Sequence, residues 1–141
     1  WALSALLLGA APASANPWGF IDPLLAQALD IRADDHGTYL FPDHADPGVA
    51  NVALAIHYSE SRAGGNSFGI SVGLFQRTGN TWGYAVPVDG IFGVEPRDVA
   101  FYPDRIEVTT STLGPDDPRC CPSSATRWAV DRTTGAVTKL P

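Results

Sequence analysis

From Asn51 onward, apolar residues recur at every second position, and no other feature of the chain limits its fold as much. Val52, Leu54, Ile56 and Tyr58 share one parity, while Ala53, Ala55, His57 and Ser59 share the other. Side chains alternate faces along an extended strand, so this spacing predicts a strand with its large apolar set turned inward. His57 then falls on the opposite, exposed or second-layer face, where a lone imidazole is seldom a ligand. The turn Ala63-Gly-Gly-Asn66 leads into Phe68, Ile70, Val72 and Leu74, again alternating, with Gly69, Ser71 and Gly73 between them. Gly79-Asn80 has the chemistry of a two-residue hairpin loop, because Gly reaches positive φ freely and Asn tolerates the turn. A strand from Trp82 to Val88 follows. Beyond the apolar loop 89–94, strands are expected over Arg97 to Tyr102 and Arg105 to Leu113, hinged on Pro103-Asp104. A last pair runs from Thr126 to Val130 and from Ala136 to Leu140. Successive hairpins predict a mainly β (α+β) fold: a curled antiparallel meander with one short N-terminal helix.

That helix is expected over Asp22-Pro-Leu-Leu-Ala-Gln-Ala-Leu29, with Asp22 as N-cap and Pro23 at the first helical position. The stretch from Asp30 to Pro47 is rich in Asp, His, Gly and Pro and reads as loop, apart from a brief strand at Thr38 to Phe41.

The first fifteen residues are apolar, carry no charge and close on Ala13-Ser14-Ala15, whose small side chains suit signal peptidase. Cleavage is expected after Ala15, which leaves residues 16–141 as a single exported β-rich domain, periplasmic or secreted. The basic flank of a normal signal is missing, so the chain is expected to begin inside that signal. The apolar run falls short of the roughly 20 residues that span a bilayer, and no Cys lies nearby to be acylated. Stable membrane insertion after cleavage is therefore not expected. A net charge of −6 with a single lysine, Lys139, argues against a basic patch for nucleic acid or anionic lipid.

The most distinctive segment is Leu113-Gly-Pro-Asp-Asp-Pro-Arg-Cys-Cys-Pro122, in which the two cysteines are adjacent. Neighbouring Cα atoms sit about 3.8 Å apart, closer than the usual 4.4–6.8 Å of a disulfide. Three states are open to Cys120 and Cys121: a vicinal disulfide that braces a loop, two reduced thiols, or a bridge to another chain. Chelation by the pair lacks supporting Cys or His spacing, and no cofactor is expected.

Phe92-Gly-Val-Glu-Pro-Arg-Asp-Val99, the Cys-Cys-Pro segment and Thr126-Arg-Trp128 together resemble a family of uncharacterised exported proteobacterial proteins. That family carries Gly-Pro-x-Asp-Pro-x-Cys-Cys-Pro near the C-terminus. The cysteine element is similar, more distantly, to one in LppP/LprE-like lipoproteins, though the lipobox Cys is absent here. The resemblance spans roughly Gly73 to Gly135 and implies export and a shared fold, without an activity.

Other motifs carry less. Gly69-Ile-Ser71-Val-Gly73 matches a nucleophile elbow, but that motif works where a strand turns sharply into a helix, and here it falls in mid-strand. Asp43-His44-Ala-Asp46-Pro-Gly48 gathers oxygen atoms without calcium-loop spacing and reads as a solvated turn. Asp34-Asp35-His36 reads as a charged loop. No complete nucleophile, base and orienter set is present. The function expected is therefore non-catalytic binding of an envelope component, small ligand or protein. Its candidate residues are Arg97, Asp116, Asp117, Arg119, Arg127 and Trp128, beside the Cys120-Cys121 loop. A thiol-active or redox-sensing role for the cysteines is the alternative. A hydrolase using Ser71 or the Asp116/Asp117 pair comes last.

Overall fold

In the computed structural model, the described residues are 17–33, 35–60, 68–118 and 120–141. The segment read as a signal and the Ala63–Asn66 turn lie outside them. Among the described residues, the alternating runs become eight strands in two antiparallel sheets. The first sheet holds β1 (Gly37–Pro42), β2 (Val52–Glu60), β3 (Phe68–Thr78) and β4 (Thr81–Val88) in sequence order. The second holds β5 (Val94–Phe101), β6 (Arg105–Thr112), β7 (Ser124–Asp131) and β8 (Val137–Lys139), again in order. The β3–β4 turn is the expected Gly79-Asn80, with Gly79 at φ 64.

The meander is thus divided into two, and the division falls at residues 89–93. Gly90 and Gly93 adopt φ values of 117 and 99, a left-handed region that favours glycine. They swing the chain out of one sheet and into the other. The inner faces then meet: Leu54, Ile56, Val72 and Leu74 pack with Ile106, Val108, Trp128 and Val130 in one buried cluster. Each such side chain contributes about 1.5–3 kcal/mol on burial. The two sheets therefore form a sandwich, held by the parity visible in the sequence.

A third layer covers the other face of the first sheet. Helix α1 (Asp22–Leu29) and the short 3₁₀ turn before it set Trp18, Ile21, Leu25 and Leu29 against Ala55 and Phe75. Small residues make room for the helix; at Gly73 an added Cβ would stand 2.9 Å from the Tyr84 ring and 3.4 Å from Leu29. One expectation changes here and another is narrowed. Ile21, not Asp22, is the N-cap, and Asp22 opens the helix with Pro23 directly after it. His57, expected on an exposed or second-layer face, is on the second-layer one: it is buried, because the helical layer and the loop after it seal that side of β2.

Strand β5 begins earlier than expected, at Val94, and departs from regular pairing. Val94 faces Ser111, Arg97 faces Thr109 and Ala100 faces Glu107, so β5 advances three residues for every two of β6. Each extra residue is a bulge. Glu95 and Asp98, one in each bulge, both sit at φ 54.

Candidate functional site

The connection from β6 to β7 is folded around one carboxylate. Asp117 Oδ2 accepts from the Gly114 amide at 2.7 Å and from the Ser123 amide at 2.6 Å. Ser123 Oγ donates to the same carboxylate, 2.8 Å from each oxygen. The Cys121 amide donates to Pro118 O at 3.0 Å, which closes the turn that carries the cysteines. The Gly114 and Ser123 amides, joined by the Ser123 hydroxyl, hold the Asp117 carboxyl below the usual aspartate value of about 3.9. A depressed folded pKa adds stability above the unfolded value and loses it as pH falls through the folded one. Acid should therefore loosen this loop. In an NMR titration the Gly114 and Ser123 amides are expected to shift together, with a midpoint below about 3.9, and Asp117→Asn should abolish the transition. A midpoint at or above the ordinary value would refute the anchor.

Cys120 and Cys121 are both exposed, and their Sγ atoms lie at disulfide distance. Between this loop and the start of β5 lies a cavity of about 290 Å³. Phe92, Val94, Leu113 and Pro122 supply its apolar lining, with Cys120 and Ser111 alongside. Phe92 and Leu113 are 54% and 51% exposed, so two large apolar side chains face water at the cavity. Both ring and backbone of Phe92 are fixed from behind. Its ring meets Trp128 edge-on with centroids 4.8 Å apart, and its carbonyl accepts from Thr110 Oγ1 at 2.7 Å. Trp128 Nε1 donates to that same hydroxyl at 2.9 Å. Gly93 has no room for a side chain, since a Cβ there would lie 2.6 Å from Ser111 O.

The candidate residues named from the sequence divide among different settings. Arg97 Nη1 donates to Glu95 O at 2.8 Å and to Ser111 Oγ at 2.9 Å, which brings it to the polar edge of the cavity. Trp128 is 3% exposed and supports Phe92 without lining the cavity. Arg127 donates from Nε to Glu107 at 3.3 Å and from Nη1 to Asp98 O at 2.6 Å, on the outer face of the second sheet. Arg105, with Arg127 behind it, holds the Glu107 carboxyl below the usual range. Asp116 is exposed, whereas Asp117 is taken up by the loop's own amides and Ser123, so the two do not act as a proton-sharing pair. Arg119 lies outside the described residues. Ser71 sits within β3 opposite His57, with no strand-to-helix turn to present it. Among the described residues no three His, Cys, Asp or Glu side chains converge as for a metal. No helix there is long and apolar enough to cross a membrane.

Sequence spacing missed one buried polar chain. His57 Nε2 lies 2.7 Å from Asp35 Oδ2, and Thr38 Oγ1 lies 2.7 Å from His57 Nδ1. Asp35 also accepts from the amides of Arg32 at 2.8 Å and Glu60 at 3.2 Å. The hydroxyl, imidazole and carboxylate order is that of a hydrolytic triad. The side chains of His57 and Asp35 are only 1% and 2% exposed, however, so no substrate reaches the ring. The chain locks the loop after α1 onto β2. Asp35 and His57 were each visible in the sequence, but their meeting depends on the helix returning that loop across the sheet. No family model, curated protein or solved structure matches the chain, so its own residues carry the functional reading.

Proposed function

We propose that the chain is a non-catalytic binding domain that takes a small, largely apolar ligand in the cavity beside Cys120 and Cys121. The observation that carries this is the exposure of Phe92 and Leu113 at a cavity of about 290 Å³. Large apolar side chains left in water at a concave site mark recognition more often than packing. The volume suits a ring or short acyl moiety, not a folded partner, which needs roughly 800 Å² of surface from each side. Among the described residues, no carboxylate or basic side chain lines this cavity, which suits a neutral moiety. The leader that closes on Ala13-Ser14-Ala15 supports export, and the ligand would then come from the envelope or the medium.

N-phenyl-1-naphthylamine, a neutral apolar fluorophore, tests the reading. Titration should show one saturable site. Phe92→Ser and Leu113→Ser remove exposed side chains, and each is expected to weaken binding about tenfold, equivalent to about 1.4 kcal/mol. Binding that neither substitution alters would overturn the proposal.

A further inference from the structure

We infer that a second cavity, across the Gly93–Glu95 segment from the first, binds a small organic cation of the alkylammonium class. It has a volume of about 260 Å³ and is lined by His36, Gly37, Tyr39, Tyr58, Val94 and Glu95. Tyr39 and Tyr58 stand nearly perpendicular, at 86° with centroids 6.0 Å apart, and so form two adjoining walls of a box. Phe41 stacks on Tyr39 at 6.2 Å and 11°. The Tyr58 hydroxyl donates to Gly93 O at 2.7 Å, which fixes its ring at the edge of the sandwich. Aromatic faces carry negative potential and attract alkylated ammonium groups, which stay apolar at their surface while charged.

The charge at the cavity points the same way. Glu95 is exposed, and one carboxylate oxygen accepts from Ser111 Oγ at 3.1 Å. Arg97 reaches that carboxylate only through the Ser111 hydroxyl, its Nη1 being bonded to the Glu95 carbonyl and to Ser111 Oγ. His36, at the rim, places Nε2 3.0 Å from a Glu60 carboxylate oxygen. Glu95 also keeps its side chain in left-handed backbone, at φ 54, where a residue other than glycine is disfavoured. Asp98 takes the same φ in the second bulge, so the backbone there follows from the bulge, and it is the place of the carboxylate beside two aromatic walls that points to a site. The first cavity offers the contrast: among the described residues it is lined by an aromatic ring and sulfur but by no carboxylate. Burial, with Tyr39 adding to it, pushes the Tyr58 hydroxyl well above the ordinary tyrosine range, so this wall stays neutral and a hydrogen-bond donor.

Choline and its neutral isostere 3,3-dimethylbutan-1-ol separate charge from shape. In NMR titrations of the whole chain, choline is expected to saturate in the millimolar range and to bind at least about tenfold more tightly than the isostere, or about 1.4 kcal/mol. Glu95→Gln keeps the bond to Ser111 and should weaken choline about five- to tenfold while leaving the isostere unchanged. Tyr39→Leu, on an exposed edge strand, should weaken choline similarly, with circular dichroism unchanged. Phe92→Ser should leave choline binding intact, which separates this cavity from the first. Equal affinity for the two probes, no saturable choline response, or indifference to Glu95→Gln would each overturn the inference.

Discussion

Replacing His57 with leucine is expected to lower the unfolding free energy by about 3 kcal/mol, at the lower end of what breaking a buried pair costs. The ring is sealed beneath the loop after α1, with one nitrogen on Asp35 and the other on Thr38. Leucine fills the space but takes the imidazole away from the buried Asp35 carboxylate, whose bonds to the Arg32 and Glu60 amides remain. A buried carboxylate that loses a partner costs more than a neutral group does. Thr38→Val removes only a hydroxyl at the exposed end of the same chain, and about 1 kcal/mol is expected. Urea unfolding of the two variants checks both numbers. The double change Asp35→Asn with His57→Leu should cost less than the sum of its parts, since each single change already breaks the contact that the two side chains share. If His57→Leu costs less than about 1 kcal/mol, the lock does not hold the loop.

Trp128→Ala should be at least as damaging, at about 3–5 kcal/mol, the range for emptying a large aromatic from a core. Trp128 closes the inner cluster between the sheets, and its Nε1 is satisfied by Thr110. Trp128→Phe keeps most of the packing and forfeits that hydrogen bond, so about 1 kcal/mol is expected. The alanine variant should also weaken the naphthylamine probe, although Trp128 lines no part of the cavity. Its loss takes the backing from the Phe92 ring and frees the Thr110 hydroxyl that holds the Phe92 carbonyl. Thermal unfolding reads the first effect and the fluorescence titration the second. A variant with near-parental stability would place Trp128 outside the core.

Much of the fold was legible in parity. Val52, Leu54 and Ile56 turn inward as their spacing demands, and Gly79-Asn80 makes the turn its chemistry suits. Trp128 shares parity with Thr126 and Val130, all three buried on the inner face of β7. Counting that strand by twos would have moved Trp128 from the binding set to the core. Other features were not local. Whether the Ala53, Ala55 and His57 face is wet or dry depends on where α1 lands, and nothing within β2 reports that. The cavity at the cysteines joins Phe92 to Cys120, which are distant in sequence. It exists because Val94 pairs with Ser111 at the end of β6. Asp117 was legible as a turn former, but its three anchoring bonds come from Gly114 and Ser123, one on either side. The Tyr39, Tyr58 and Glu95 cavity draws on three strands from two sheets, so no stretch of sequence contains it.

The doubled bulge of β5 also bears on how the molecule behaves in a crowd. β5 is an outer strand of its sheet, and an outer strand with regular spacing invites another chain to zip onto it. With three residues advancing for every two of its neighbour, the outward amides and carbonyls of β5 fall out of step with any straight strand laid beside them. Glu95 and Asp98 add a negative charge at each irregular step. A second copy that approached this margin would find no matching row of bonds, so this border of the sandwich, beside both cavities, disfavours strand-to-strand growth.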